Sequence, residues 1–166
     1  MITVVVRVER SVEALAVTLA ALVPGVAAGL VADAVILVGR ADDGVARLAD
    51  AAGAAVLATP DRGWVPGAGV ARREWLWCLL DGDAPADGWI RAVGQFVSLA
   101  PADGRALGRP SYRPLSPAAR MTRLMERAGT RRVRAGDLVR RDFVAAPSRI
   151  RPLALGTSVA RDPAFR

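Results

Sequence analysis

Apolar positions in this chain fall into short unbroken runs, and the runs alternate with stretches of helical spacing. The β-branched run ITVVVRV, Ile2 to Val8, predicts a strand buried on both faces. Ser11 stands where it can cap a following helix, Glu13 falls in the favoured first turn, and Pro24-Gly25 is expected to end that helix. AVILVG, Ala34 to Gly39, predicts a second strand. Asp42 or Asp43 then caps a helix through GVARLADAAG, with Gly53 as its C-terminal cap. AAVLAT, from Ala54, predicts a third strand. PDRGWVPGAG, Pro60 to Gly69, is a loop of turn residues before a short helix near Val70 to Arg73. WLWCLL, Trp75 to Leu80, predicts a fourth strand and runs directly into Asp81-Gly82-Asp83. Beyond Ala100, RALGRPSYR reads as a strand with a proline-broken end, Ser116 caps a helix over PAARMTRLMERAG, and DLVRRDFVA reads as a further strand. The tail from Pro147 is expected to be irregular and partly mobile.

Strands alternating with helices of this length predict an α/β protein with a parallel sheet, and such sheets bind ligands outside the carboxyl ends of their strands. Gly39-Arg40, Arg62-Gly63 and Asp81-Gly82-Asp83 all fall at that edge. Two carboxylates one residue apart repel each other unless something positive lies beside them, whether a metal ion, an arginine or solvent. Trp64, in the glycine-rich edge loop, is a candidate platform for a nucleobase or sugar. Trp75, Trp77 and Trp89 have core-like spacings, and Cys78 lies within a strand as an inert thiol.

Composition narrows the chemistry. The 166 residues include no histidine and one cysteine, which excludes His general bases, Ser-His-Asp triads, zinc sites of His and Cys, and an internal disulfide. A metal here would need oxygen ligands, which favours magnesium, manganese or calcium. All 23 basic residues are arginine, so no lysine nucleophile exists. Charge is segregated: residues 1–100 carry net −3 and residues 101–166 net +10. The basic part suggests an anionic partner, or else a solvated arginine face. The apolar stretch Ala14 to Ala32 approaches spanning length, but Pro24-Gly25 interrupts it and Glu9 and Glu13 precede it, so a helix and linker are expected in place of an anchor or secretory signal.

The order of these pieces, and above all LWCLLDGDAPADGWI, resembles the nucleotide-sugar domain of the family-2 glycosyltransferases over roughly Met1 to Val97. The resemblance implies a GT-A-like (Rossmann-like) three-layer α/β sandwich with a mostly parallel central sheet. The length predicts a single domain over 1–166, with 1–97 as the nucleotide-sugar-binding half by the resemblance and 98–166 as a basic acceptor-side half. The resemblance further implies a divalent cation, manganese or magnesium, held by Asp81 and Asp83, with Asp81 also touching the nucleotide. The family's Asn-containing turn after the first strand is replaced by RVERS, and the aspartate ending its second strand by Gly39. Arg7 and Arg40 sit near those lost positions as candidate phosphate contacts, or as partners of Glu9 and Asp43. Arg62, Gly63 and Trp64 keep the place of the family's RG loop.

Transfer with inversion needs a general base. By similarity to the family's Gly-Asp segment, VRAGDLVRRDFV makes Asp137 the first candidate and Asp142 the second. The expected activity is transfer of a sugar from a nucleoside-diphosphate sugar to an unknown acceptor, anionic or lipid-linked, by an enzyme that is cytoplasmic or at the inner face of the membrane. The alternative is a catalytically degenerate binding or regulatory module. A nucleic-acid surface lacks interleaved aromatics, since Tyr112 and Phe143 stand nearly alone.

Overall fold

A computed structural model describes residues 1–61, 63–100, 107–110 and 129–165 of the chain. Four strands form a parallel block: β1 (Ile2–Arg7), β2 (Val31–Val38), β3 (Ala55–Ala58) and β4 (Trp75–Leu80). Three short strands extend it beyond β4: β6 (Leu107–Arg109), β7 (Leu138–Arg140) and β8 (Leu153–Ala154). The sheet order is β3-β2-β1-β4-β7-β6-β8. β7 runs antiparallel to β4, β6 antiparallel to β7, and β8 parallel to β6. The sheet is therefore mixed and mostly parallel, as expected. A second, two-stranded sheet pairs β5 (Asp83–Pro85) with β9 (Val159–Arg161).

Alternation along the buried strands separates two cores. Ile2, Val4 and Val6 of β1 face α1 (Val12–Ala27), α2 (Asp43–Ala51) and α4 (Trp89–Leu99), with Trp77 and Trp89 stacked 5.0 Å apart. Val5, Leu76 and Cys78 face α3 (Val65–Val70) and a short helix α5 (Arg141–Ala145). Helices on both sheet faces make the three layers. Trp77 Nε1 donates to the Gly136 carbonyl at 2.9 Å, which satisfies its one polar atom inside the core.

Several expectations are corrected. α1 continues through Pro24 to Ala27 instead of stopping there. Gly25 is not a terminator; a Cβ there would lie 2.2 Å from Trp89 Cη2, so glycine lets α1 approach α4. Asp42 caps α2 by accepting from the Val45 amide at 2.8 Å, and Gly53 ends it at φ +67°. The short helix after the RG loop lies earlier than expected, at Val65–Val70. The segment read as one strand over DLVRRDFVA divides into β7 and α5. The tail from Pro147 is not irregular throughout: it supplies β8, β9 and a 3-10 turn at Pro163–Phe165. The helix expected after Ser116, the residues around Tyr112, and Arg62 lie outside the described residues. Among the described helices none is long and apolar enough to cross a membrane.

Candidate functional site at the carboxyl edge of the sheet

The strand order reverses direction between β1 and β4, so the crevice beyond their carboxyl ends is where an α/β sheet offers a binding place. A cleft of about 470 Å³ opens at this edge beside β1, β2 and β3. Arg7, Glu9, Gly39, Arg40, Thr59 and Asp61 line it. Arg7 and Arg40, expected to meet phosphate, thus share one cavity. Arg7 is also tied down: its guanidinium lies 2.7 Å from Glu9 and 4.8 Å from the Trp64 ring centroid. That cation–π contact fixes the head group against an apolar wall.

Trp64 does not present a free stacking surface. It is 6 % exposed, packed in the α3-side core and covered by Arg7. The Gly63 amide donates to Asp61 Oδ1 at 2.7 Å, closing a local turn that leaves Asp61, and not Gly63, among the cleft-lining residues.

The aspartate pair is built inward. Asp81 is fully buried, and its carboxylate accepts from the backbone amides of Glu9 at 3.1 Å, Arg10 at 2.7 Å and Ser11 at 3.1 Å. Arg10 Nη1 adds a fourth contact at 3.4 Å and also approaches the Asp81 carbonyl at 3.3 Å. Two donors therefore meet each carboxylate oxygen, which uses the acceptor capacity of the group. Chemically, Asp81 is the anion received by the row of amides ahead of α1, whose N–H groups it occupies. Asp83 is 4 % exposed. Its Oδ2 accepts from the Leu80 amide at 2.9 Å and its Oδ1 from Arg161 Nη2 at 3.2 Å. Burial raises the Asp83 pKa, and this outweighs the opposing amide of Leu80 and the nearby charges of Arg161 and Arg10.

This donor set does not fit a resident divalent cation. A hard cation needs several oxygens facing one point with lone pairs to spare. Asp81 has none left, and Asp83 brings a single buried carboxyl already facing a guanidinium. No group of three or more acidic or thiol side chains able to hold a metal occurs among the described residues. Asp81 and Asp83, expected as metal ligands, and Asp81 as a nucleotide contact, thus face internal amides and guanidinium groups among the described residues.

Asp137, the expected general base, is also enclosed. It is 1 % exposed and receives Arg109 in a two-pronged pair, Nε to Oδ1 at 2.8 Å and Nη2 to Oδ2 at 2.7 Å. The Arg134 amide also donates to Oδ2, at 2.9 Å. Burial raises its pKa against the influence of Arg109 and Arg134. Asp142 is exposed but sits at the wrong end of the sheet. It follows Arg140, which pairs with Trp75 at the amino end of β4. The Cys78 thiol, fully buried, has its pKa pushed up by burial and by Asp137, as befits an inert core residue.

Sequence reasoning missed Arg10, Arg161 and Arg109, the three guanidinium groups that meet these carboxylates. Arg10 was legible in RVERS, one residue before the cap. Arg161 lies in a tail read as irregular, and its approach to Asp83 depends on β5–β9 pairing at a separation no local pattern records.

The fold and its edge cleft define a GT-A-like α/β architecture. No protein-family model and no curated protein matches the chain. Solved structures do. The structure of a mycobacterial protein superposes with a TM-score of 0.62 at 19% identity, over 85% of this chain and 53% of that one. Glucosyl-3-phosphoglycerate synthase from Mycobacterium tuberculosis, in complex with Mn2+ and uridine-diphosphate-glucose, matches with a TM-score of 0.61 at 17% identity, over 85% of this chain and 56% of that one. Mannosyl-3-phosphoglycerate synthase from Rubrobacter xylanophilus matches at 0.55 and 12% identity, over 84% and 54%. The chain thus spans about half the length of these proteins, and the likeness is one of fold.

Proposed function

We propose that this chain is a glycosyltransferase-fold module that binds the nucleoside-diphosphate part of a nucleotide sugar at the carboxyl edge of β1, β2 and β3. The observation that carries the reading is the cleft itself. It joins Arg7 and Arg40 to the acceptors Glu9, Thr59 and Asp61, in the scaffold of solved enzymes one of which holds uridine-diphosphate-glucose. Arginine N–H groups suit phosphate oxygens, and carboxyl and hydroxyl groups suit the hydroxyls of ribose.

The same geometry favours the binding-module reading over the inverting, metal-dependent transferase expected from the aspartate motif. Transfer by that route asks for a cation at Asp81 and Asp83 and a base at Asp137, and all three carboxyls face internal donors. A panel of nucleoside diphosphates and their sugars, each with EDTA or with Mn2+, tests the reading by thermal unfolding. At least one nucleotide should raise the melting temperature in EDTA, and Arg40→Ala should reduce the rise. A flat panel would remove the proposal. A rise confined to Mn2+ would favour the transferase.

A further inference from the structure

The Asp81-Gly82-Asp83 turn is neutralised by two arginines from opposite ends of the chain. Arg10 comes from the β1–α1 turn and reaches Asp81; Arg161 comes from β9 and reaches Asp83. Three backbone bonds knit the assembly together. The Gly82 amide donates to the Ala14 carbonyl at 2.9 Å, the Asp162 amide to the Gly82 carbonyl at 2.9 Å, and the Asp81 amide to the Arg7 carbonyl at 3.1 Å. Phe165 lies over Gly82, 3.2 Å from where a Cβ would stand. The β9 segment is therefore built onto the turn.

The charge balance is that of a metal site. Two carboxylates with one divalent cation sum to zero, and so do two carboxylates with two guanidinium groups. The arginines differ from a cation in what remains on offer. Each guanidinium carries five N–H donors, and the described contacts of Arg10 and Arg161 use only part of them. Their side chains are 30 % and 29 % exposed, while the carboxylates they meet are buried. Arg161 Nε is itself buried without a hydrogen-bond partner among the described residues. Arg10 follows directly on Glu9, which lines the cleft.

We propose that Arg10 and Arg161, held in place by Asp81 and Asp83, form a metal-independent site for a diphosphate or related phosphoanion next to the cleft. This rests on the nucleotide-binding reading above and deepens it: the aspartates act as positioning residues for two arginines, which supply the counter-charge usually given by a cation. The opposing charges nearby are engaged elsewhere, Glu9 with Arg7 at 2.7 Å and Asp162 Oδ1 with the Ala164 amide at 2.9 Å.

The test is calorimetric titration of the full chain with inorganic pyrophosphate, in EDTA and in Mg2+. Variants are Arg10→Met, Arg161→Met and, as a control for general charge loss, Arg47→Met on exposed α2. Because Arg161→Met leaves Asp83 buried without its partner, the double variant Asp83→Asn/Arg161→Met is measured beside it, and circular dichroism confirms the fold. The expected result is binding in EDTA, unchanged by Mg2+, weakened about tenfold or more by Arg10→Met and by the double variant, and unaffected by Arg47→Met. Pyrophosphate binding only with Mg2+, no binding in either condition, or equal weakening by Arg47→Met would each overturn the proposal. A nucleotide that still raises the melting temperature in those cases leaves the cleft reading standing, so the two failures are separable.

Discussion

Asp81 shows how much depends on what a single carboxylate faces. Three amides and one guanidinium converge on it, so its removal strands donors at the start of α1. Asp81→Ala should lower unfolding free energy by about 2–5 kcal/mol in urea titrations, since buried polar groups left unpaired each cost about 1–3 kcal/mol. A ligand-binding aspartate facing solvent would cost little. Arg109→Ala should be as severe, about 3–5 kcal/mol, because it leaves the Asp137 charge buried without its two-pronged partner. Asp83 adds a pH dependence of definite sign. Burial raises its folded pKa above the ordinary 3.8, so its contribution to stability is full below that value and is lost as pH rises through the folded value. Asp83→Asn, which cannot ionise, should gain stability relative to the wild-type chain as pH rises through that window. A urea-unfolding series from acid to neutral pH reads the difference.

At the scale of elements, the strands that hold the cleft were the most legible. β1 and β4 are continuous apolar runs because helices cover both their faces, and their limits appear directly in the sequence. Caps were legible too, since Asp42 and Gly53 act through their nearest neighbours in sequence. Pro24-Gly25 misled because local signals favour a break, whereas packing against Trp89 rewards continuation. Gly25→Ala should therefore destabilise by about 1–3 kcal/mol, measured by thermal or urea unfolding, despite the better helix propensity of alanine. The aspartate motif is ambiguous for a related reason. Its position at the strand end was right, but the same two side chains can hold a cation or two arginines. For Asp81 the approach of the β1–α1 turn decides between them, and for Asp83 the long-range pairing of β5 with β9.

For the whole molecule, the segregation of charge takes on a structural meaning. Arginines from the basic part meet carboxylates buried in or beside the sheet: Arg161 with Asp83, Arg109 with Asp137. Of these pairs Arg161–Asp83 offsets part of the net +10 that suggested an anionic partner, whereas Asp137 is already counted within it, and Arg7, Arg10, Arg40 and Arg161 lie about the carboxyl edge. The fold is similar to that of glucosyl-3-phosphoglycerate synthase from Mycobacterium tuberculosis, and in this chain the aspartate pair meets guanidinium groups in place of a cation-facing opening. Manganese binding followed by electron paramagnetic resonance tests that claim most directly. The signal of free manganese should stay undiminished when the chain is added, with or without a nucleoside diphosphate present in amounts too small to sequester the metal alone. Stoichiometric loss of that signal, restored by Asp83→Asn, would contradict it.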